Sequence, residues 1–139
     1  MMEAIETVRI LLLASLFGGF VFFPSVVAPV VFKVLEGDDA SRFLRTLFPR
    51  YYLFIIMTSG VAALLSIGLP GQALTLAAIS LSTLFVRQVS VPKINAWRDA
   101  EMDGDQEAGK KFERGHKATV ILNISQLVMT AFVLFAVSG

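Results

Sequence analysis

The sequence predicts an all-α, polytopic membrane protein: a bundle of four transmembrane helices with a short interfacial helix between the first and second spans. Three observations predict it. The chain of 139 residues is 55% hydrophobic with a mean hydropathy of +0.72, beyond what a soluble domain of this length carries. Its apolar residues fall in four runs, each close to the ~20 residues needed to cross ~30 Å of hydrocarbon. Its charge falls between those runs: apart from Glu3, Glu6 and Arg9, every charged residue lies in the stretches 33–50 and 87–117. The reading is one four-helix domain over residues 1–139, with spans at about 8–32, 51–69, 72–91 and 118–137.

The first span has an apolar run from about Ile10 to Phe32, too long for a signal-peptide core. No basic cluster precedes it and no small-residue cleavage site follows, so it reads as a retained helix. Ala14 with Gly18 and Ser15 with Gly19 are small pairs that permit close helix approach. Pro24 and Pro29 remove backbone donors and predict a kink or break in the second half of the span, freeing carbonyls that can line a cavity. The phenylalanines around them, from Phe17 to Phe32, read as packing or lipid-facing residues.

In the loop that follows, Asp38-Asp39 reads as a helix cap. Phe43, Leu44, Leu47 and Phe48 alternate with Arg42, Arg45 and Arg50, the pattern of a short helix lying in the interface. Pro49 then suits the first turn of the second span, along which Ser59, Ala62, Ala63 and Ser66 again permit close approach. Only Gly68-Leu69-Pro70-Gly71 separates the second span from the third, so the two form a hairpin. Pro92 marks the end or a kink of the third span, Trp97 suits an interfacial anchor, and the tract 110–114 can run as a helix straight into the fourth span.

Eleven of the twelve Lys and Arg residues lie on one side, leaving Arg9 on the other. The positive-inside rule then makes loops 33–50 and 92–117 cytoplasmic and places both termini outside, as in a bacterial inner membrane. The net charge of +1 gives no pull toward nucleic acid. With no cysteine, disulfides, Cys-ligated zinc and iron–sulfur clusters are excluded. One histidine and scattered methionines make no metal-ligand cluster. Asp99, Glu101, Asp103 and Gly104 imitate half of an EF-hand, but Lys110 stands where a bidentate Glu is required, so the run reads as a solvated acidic turn.

Two polar stripes run at membrane depth. Ser80, Thr83, Arg87 and Ser90 share one face of the third span; His116, Thr119, Asn123, Gln126 and Thr130 share one face of the fourth, and the two stripes are expected to face each other. Their plain reading is interhelical hydrogen bonding. Their sharper reading is a polar path from the charged side, for which Arg87 speaks, since no acid lies within any span. Arg87 either snorkels to the interface or pairs with a loop acid such as Asp99 or Glu113, with backbone carbonyls, or with an external anion. The candidate site is a positively biased cytoplasmic mouth of Arg87, Asn95, His116 and Asn123. No Ser-His-Asp set, phosphate loop or paired carboxylates accompanies it.

The ordered segments Phe17-Gly18-Gly19 through Phe32, Leu47-Phe48-Pro49 with Tyr51-Tyr52, Val91-Pro92 with Ile94-Asn95 and Asp99, and Phe112 with His116 and Asn123 cover nearly the whole chain. In them the sequence resembles the transmembrane protein 205-like family, a domain of unknown function. The residues that carry over are Pro29, Phe32, Phe48, Pro49, Tyr52, Pro92, Asn95, His116 and Asn123. The resemblance implies a four-helix membrane protein and, through the human member, an association with platinum-drug resistance and export; it supplies no mechanism. This chain has a shorter second loop and no cysteine, which weakens any carry-over of direct platinum binding. A more distant likeness, to bacterial membrane protoporphyrinogen oxidases and copper-resistance D proteins, concerns architecture only.

Three functions follow as expectations. The first is a transport-related role in which the mouth admits an anionic or polar solute. The second is a haem- or quinone-linked redox protein, with His116 as an axial ligand and Arg87 or Lys93 for a propionate. The third is a non-catalytic subunit of a larger membrane assembly. No cofactor is required by the first or third. The expected partners are the lipid bilayer and a second copy or a membrane-complex subunit.

Overall fold

The computed structural model describes all 139 residues, and they form helices joined by short turns, with no strand. Helices α1 (Met2–Phe22) and α2 (Ala28–Val34) join through a π-helical turn, Phe23–Val27, into one rod of 33 residues. Of the kink or break expected at Pro24 and Pro29, the break is absent, and the helix departs from α geometry only at the π-helical turn. A proline lacks its N–H, and its ring collides with the carbonyl one α-turn back; widening the helix to a π-turn moves that carbonyl aside and lets the rod continue. The third rod does the same at Pro92: α4 (Pro70–Phe85), a π-turn at Val86–Ser90 and α5 (Val91–Met102) run without interruption.

Helix α3 (Gly37–Leu64) contains Pro49. The interfacial helix expected after the first span is present, but as the opening turns of α3 rather than as a separate element. Gly37, at φ 52°, makes the reversal out of α2. Asp38 and Asp39 do not cap α3 with their side chains; they lie in its first turn, where the positive end of the helix dipole favours carboxylates. Helix α6 (Gln106–Ser138) is capped by Asp105, which accepts from the Ala108 amide at 3.1 Å, and it carries the charged tract 110–117 directly into the fourth span.

Four helical rods are thus long and apolar enough to cross a membrane, and the protein is an integral membrane bundle. Only 21 of 139 residues are buried, because leucines, valines and phenylalanines cover the outside as well as the core. The core joins Leu13, Leu16 and Phe20 of α1 to Tyr52, Ile55 and Ala62 of α3, Leu76 and Ile79 of α4, and Val133 of α6. Ser59, Ala62 and Ser66 are fully buried, as their size suggested. Ala14, Ser15 and Gly18 instead face outward, and the close approach on α1 is made by Gly19, against the Phe54 ring.

The two polar stripes meet at one level only. Gln126 donates from Nε2 to Ser82 Oγ at 2.8 Å and to Thr83 Oγ1 at 3.0 Å, while Ser80 turns to α3 and donates to the Ile56 carbonyl. At the end away from the loops, Arg9 is buried at 3% exposure. It binds Glu6 through two nitrogens, at 2.7 and 3.0 Å, and also donates to Ser66 Oγ and Gln72 Oε1. Hydrogen bonds from Arg9 hold the Glu6 carboxyl below its ordinary value. This knot ties α1 to the α3–α4 hairpin.

Candidate functional site

The charged end is built differently. Between α2, the first turns of α3, α5 and the first half of α6 lies a cleft of about 600 Å³, within the usual size of small-molecule sites. Three stripes at helical spacing form most of its wall: Ser41, Arg45, Phe48 and Tyr52 on α3; Val91, Asn95 and Arg98 on α5; Phe112, His116 and Thr119 on α6. Phe32 and Leu35 close it on the α2 side, and Glu36 stands at its rim.

Local sequence explains why these faces converge. A β-carbon on Gly115 would meet Ile94 at 3.0 Å and Trp97 at 3.1 Å, and one on Gly109 would meet Glu101 at 2.9 Å, so these glycines let α5 close on α6. Gly104, at φ 104°, makes the turn between them. Phe48 and Tyr52, one α-turn apart, stack at 5.6 Å, with Phe23 and Tyr51 completing an aromatic floor.

Because the helices run antiparallel, depth can be read along them. The inner end consists of Phe48, Tyr52, Val91 and Thr119; Arg98, Glu36 and Phe112 lie outermost, with Arg45, Asn95 and His116 between. Polarity therefore increases outward. Arg45 reaches Asp99 through both terminal nitrogens, at 2.6 and 3.2 Å, and donates to the Asn95 carbonyl at 3.4 Å, while its buried Nε–H has no partner. Hydrogen bonds from Arg45 hold the Asp99 carboxyl, in the charged segment beyond the third apolar run, below its ordinary value. Arg98 pairs with Glu101 at 3.2 Å and lies 5.2 Å from the Phe112 ring centre, and the His116 ring lies parallel to that ring at 5.9 Å.

Of the four residues expected at the mouth, Asn95 and His116 line the cleft. Arg87 does not: its Nε donates to the Pro49 carbonyl at 3.0 Å and one terminal nitrogen to Gln88 at 3.3 Å. Among the partners the sequence allows, it takes a backbone carbonyl, because the π-turn carries it against α3. Asn123 lies one step deeper, beside the Tyr52 hydroxyl. Sequence reasoning passed over Arg45, Arg98, Phe112 and Glu36. The signal for the first three was present in the spacing of the three stripes, which becomes visible only when the helices are extended beyond the apolar runs. Asp99 and Glu101, read as part of a solvated acidic turn, are the partners of the two cleft arginines.

Residues 11–103 match the family DUF4149, described as a domain of unknown function. The chain belongs to that family. The match takes in the α2, α3 and α5 walls of the cleft and stops before α6, which supplies Phe112, His116 and Thr119. A protein of Aquifex aeolicus (strain VF5), described only as uncharacterized, is 25% identical to the chain over 126 residues, covering 90% of each. No solved structure matches.

Proposed function

We propose that this DUF4149 protein binds an organic anion in the cleft, as the loading step of a transport-related role. The observation that carries the reading is the cleft's chemistry: two arginines and the chain's single histidine on otherwise largely apolar walls, at the boundary between the apolar runs and the charged segments. Arginine presents a planar fork suited to carboxylate, sulfonate or phosphate. Here both forks are held by single carboxylates that are themselves substantially exposed, 57% for Asp99 and 38% for Glu101, so an incoming anion can exchange with them. The positive-inside rule supports a cytoplasmic position for this end. The transmembrane protein 205-like resemblance, with its association with export, agrees with loading from that side; Phe32, Phe48, Tyr52, Asn95 and His116, drawn from all its segments, meet in this one cleft.

Haem binding at His116 has less support. A ligating histidine usually has its second nitrogen oriented by a carboxylate or carbonyl, whereas this ring is held by stacking on Phe112. A Soret band in the purified protein would reverse that ranking.

The test is binding and uptake of naphthalene sulfonate by the protein in nanodiscs and proteoliposomes. Saturable binding is expected, with Arg45→Gln weakening it about 10- to 100-fold through loss of a charge-assisted contact. Arg87→Gln, outside the cleft, should leave the affinity within about threefold. No saturable binding, or a larger loss from Arg87→Gln than from Arg45→Gln, contradicts the reading.

A further inference from the structure

We infer that the occupant is a single-chain amphiphile with an anionic head, carboxylate or phosphate, entering from the bilayer with its chain toward the membrane interior. This rests on the anion-binding reading above and adds the class of ligand.

The argument begins with direction. A pocket for a compact soluble anion surrounds it with polar groups, but here the charge is graded along the axis. Arg98 and Glu36 stand at the outer end, Arg45 and His116 lie midway, and Phe48, Tyr52 and Val91 form the inner end. The gradient has the same sense as the bilayer beside it, so a membrane amphiphile fits without turning over. Access points the same way. Phe32 lines the α2 side of the cleft and is 66% exposed, so no other helix covers that wall and a bilayer around the bundle would meet it. A chain passing Phe32 moves from lipid to side chains of similar polarity.

The head has its own receiver. Arg45 lines the cleft. Its terminal nitrogens are occupied by Asp99, a residue outside the cleft lining whose side chain is 57% exposed, and its buried Nε–H has no partner, so the side chain is not fully satisfied where it rests. A head group at the terminal nitrogens of Arg45 would displace Asp99 to water, where a carboxylate is well solvated. The exchange conserves charge, since one anion leaves the guanidinium as another arrives. Asp99 is therefore a competitor for the site and also the latch joining α3 to α5 when the site is empty.

The experiment uses the chain's single tryptophan. Trp97 packs with the cleft residue Ile94 against Gly115, so a brominated chain in the cleft should quench its fluorescence. In nanodiscs, brominated stearate and an anionic brominated lysophospholipid should each quench saturably at low mole fraction in the lipid. The stearate methyl ester and brominated phosphatidylcholine should quench only in proportion to their amount. Preference for one of the two anions identifies the head. Arg45→Gln should raise the half-saturating fraction at least tenfold, and Asp99→Asn should lower it severalfold, an opposite sign that loss of folding cannot produce.

If naphthalene sulfonate binds while the brominated stearate quenches only proportionally, the amphiphile is wrong and the anion site stands. If neither binds saturably, both readings fall. Equal saturation by stearate and its ester overturns the head contact, as does an Asp99→Asn variant no tighter than the parent.

Discussion

The two ends of the bundle each hold arginines among apolar helices, and they use them in opposite ways. At the end away from the loops, Arg9 is buried and its donors go to Glu6, Ser66 and Gln72. It is a fastener between α1 and the α3–α4 hairpin. At the charged end, Arg45 and Arg98 border an open cleft, and each is answered by a carboxylate exposed to water. A charge that is enclosed and satisfied resists exchange; one that is half-exposed and held by a displaceable partner invites it. The difference separates an arginine that fastens helices from one whose partner can be displaced more sharply than burial alone.

The largest expected effect tests the fastener. Arg9→Ala takes a donor from partly buried Gln72 and from Ser66, which keeps its bond to the Ala62 carbonyl, and leaves Glu6 without its partner. The carboxylate left behind is 46% exposed, so the ion pair itself contributes at most about 1 kcal/mol; with the lost hydrogen bonds to Ser66 and Gln72, the expected loss is about 1–3 kcal/mol. Denaturation in mixed micelles should show that loss, with naphthalene sulfonate affinity of the folded fraction unchanged. A weakened affinity with stability intact would erase the distinction between the two ends.

A second effect is smaller and depends on pH. Because Arg45 holds the Asp99 carboxyl below its ordinary value, the latch is fully formed above the usual carboxylate range. It is lost only as pH falls through the lowered folded value, when Asp99 takes up its proton. A sulfonate stays ionised there, so its binding should tighten in acid as its competitor is neutralised. Glu36, Glu101, His116 and Arg98 face the same region, so the diagnostic is the part of the acid response that disappears in Asp99→Asn. An identical pH profile in that variant would show that Asp99 does not compete.

The sequence carried the architecture because four apolar runs separated by charged segments leave few other arrangements, and the hairpin at Pro70 follows from a turn too short for anything else. Two of the four residues expected at the mouth, Asn95 and His116, line the cleft. They were legible as polar residues beside apolar helix. Arg87 was misleading for a physical reason: the absence of acids at its depth says only that it lacks a carboxylate, whereas the π-turn that relieves Pro92 brings it to the Pro49 carbonyl, a partner no sequence pattern displays. Read from the sequence, Arg45 falls on a separate interfacial helix and Arg98 in a loop, so neither aligns with the faces of the spans. Once α3 is continuous through Pro49 and α5 through Pro92, residues assigned to loops acquire a helical face, and the cleft follows from the spacing.

The smallest effect lies midway between the ends, at Gln126. Its Nε2 has two hydroxyl acceptors, yet its Oε1 is buried without a donor, and the residue is 1% exposed. Like Arg45 it has an unpartnered polar atom, but it does not line the cleft, so the comparison assigns it to packing. Gln126→Leu gives up two interhelical hydrogen bonds worth roughly 0.6 kcal/mol each within a membrane bundle, and it removes a stranded carbonyl that costs about 1–3 kcal/mol. The terms partly cancel, so stability should rise by between about zero and about 2 kcal/mol. Binding in the cleft should not change. A loss above about 2 kcal/mol would mean that Oε1 is satisfied by a partner after all, and the middle of the bundle would then belong with its wet end rather than its sealed one.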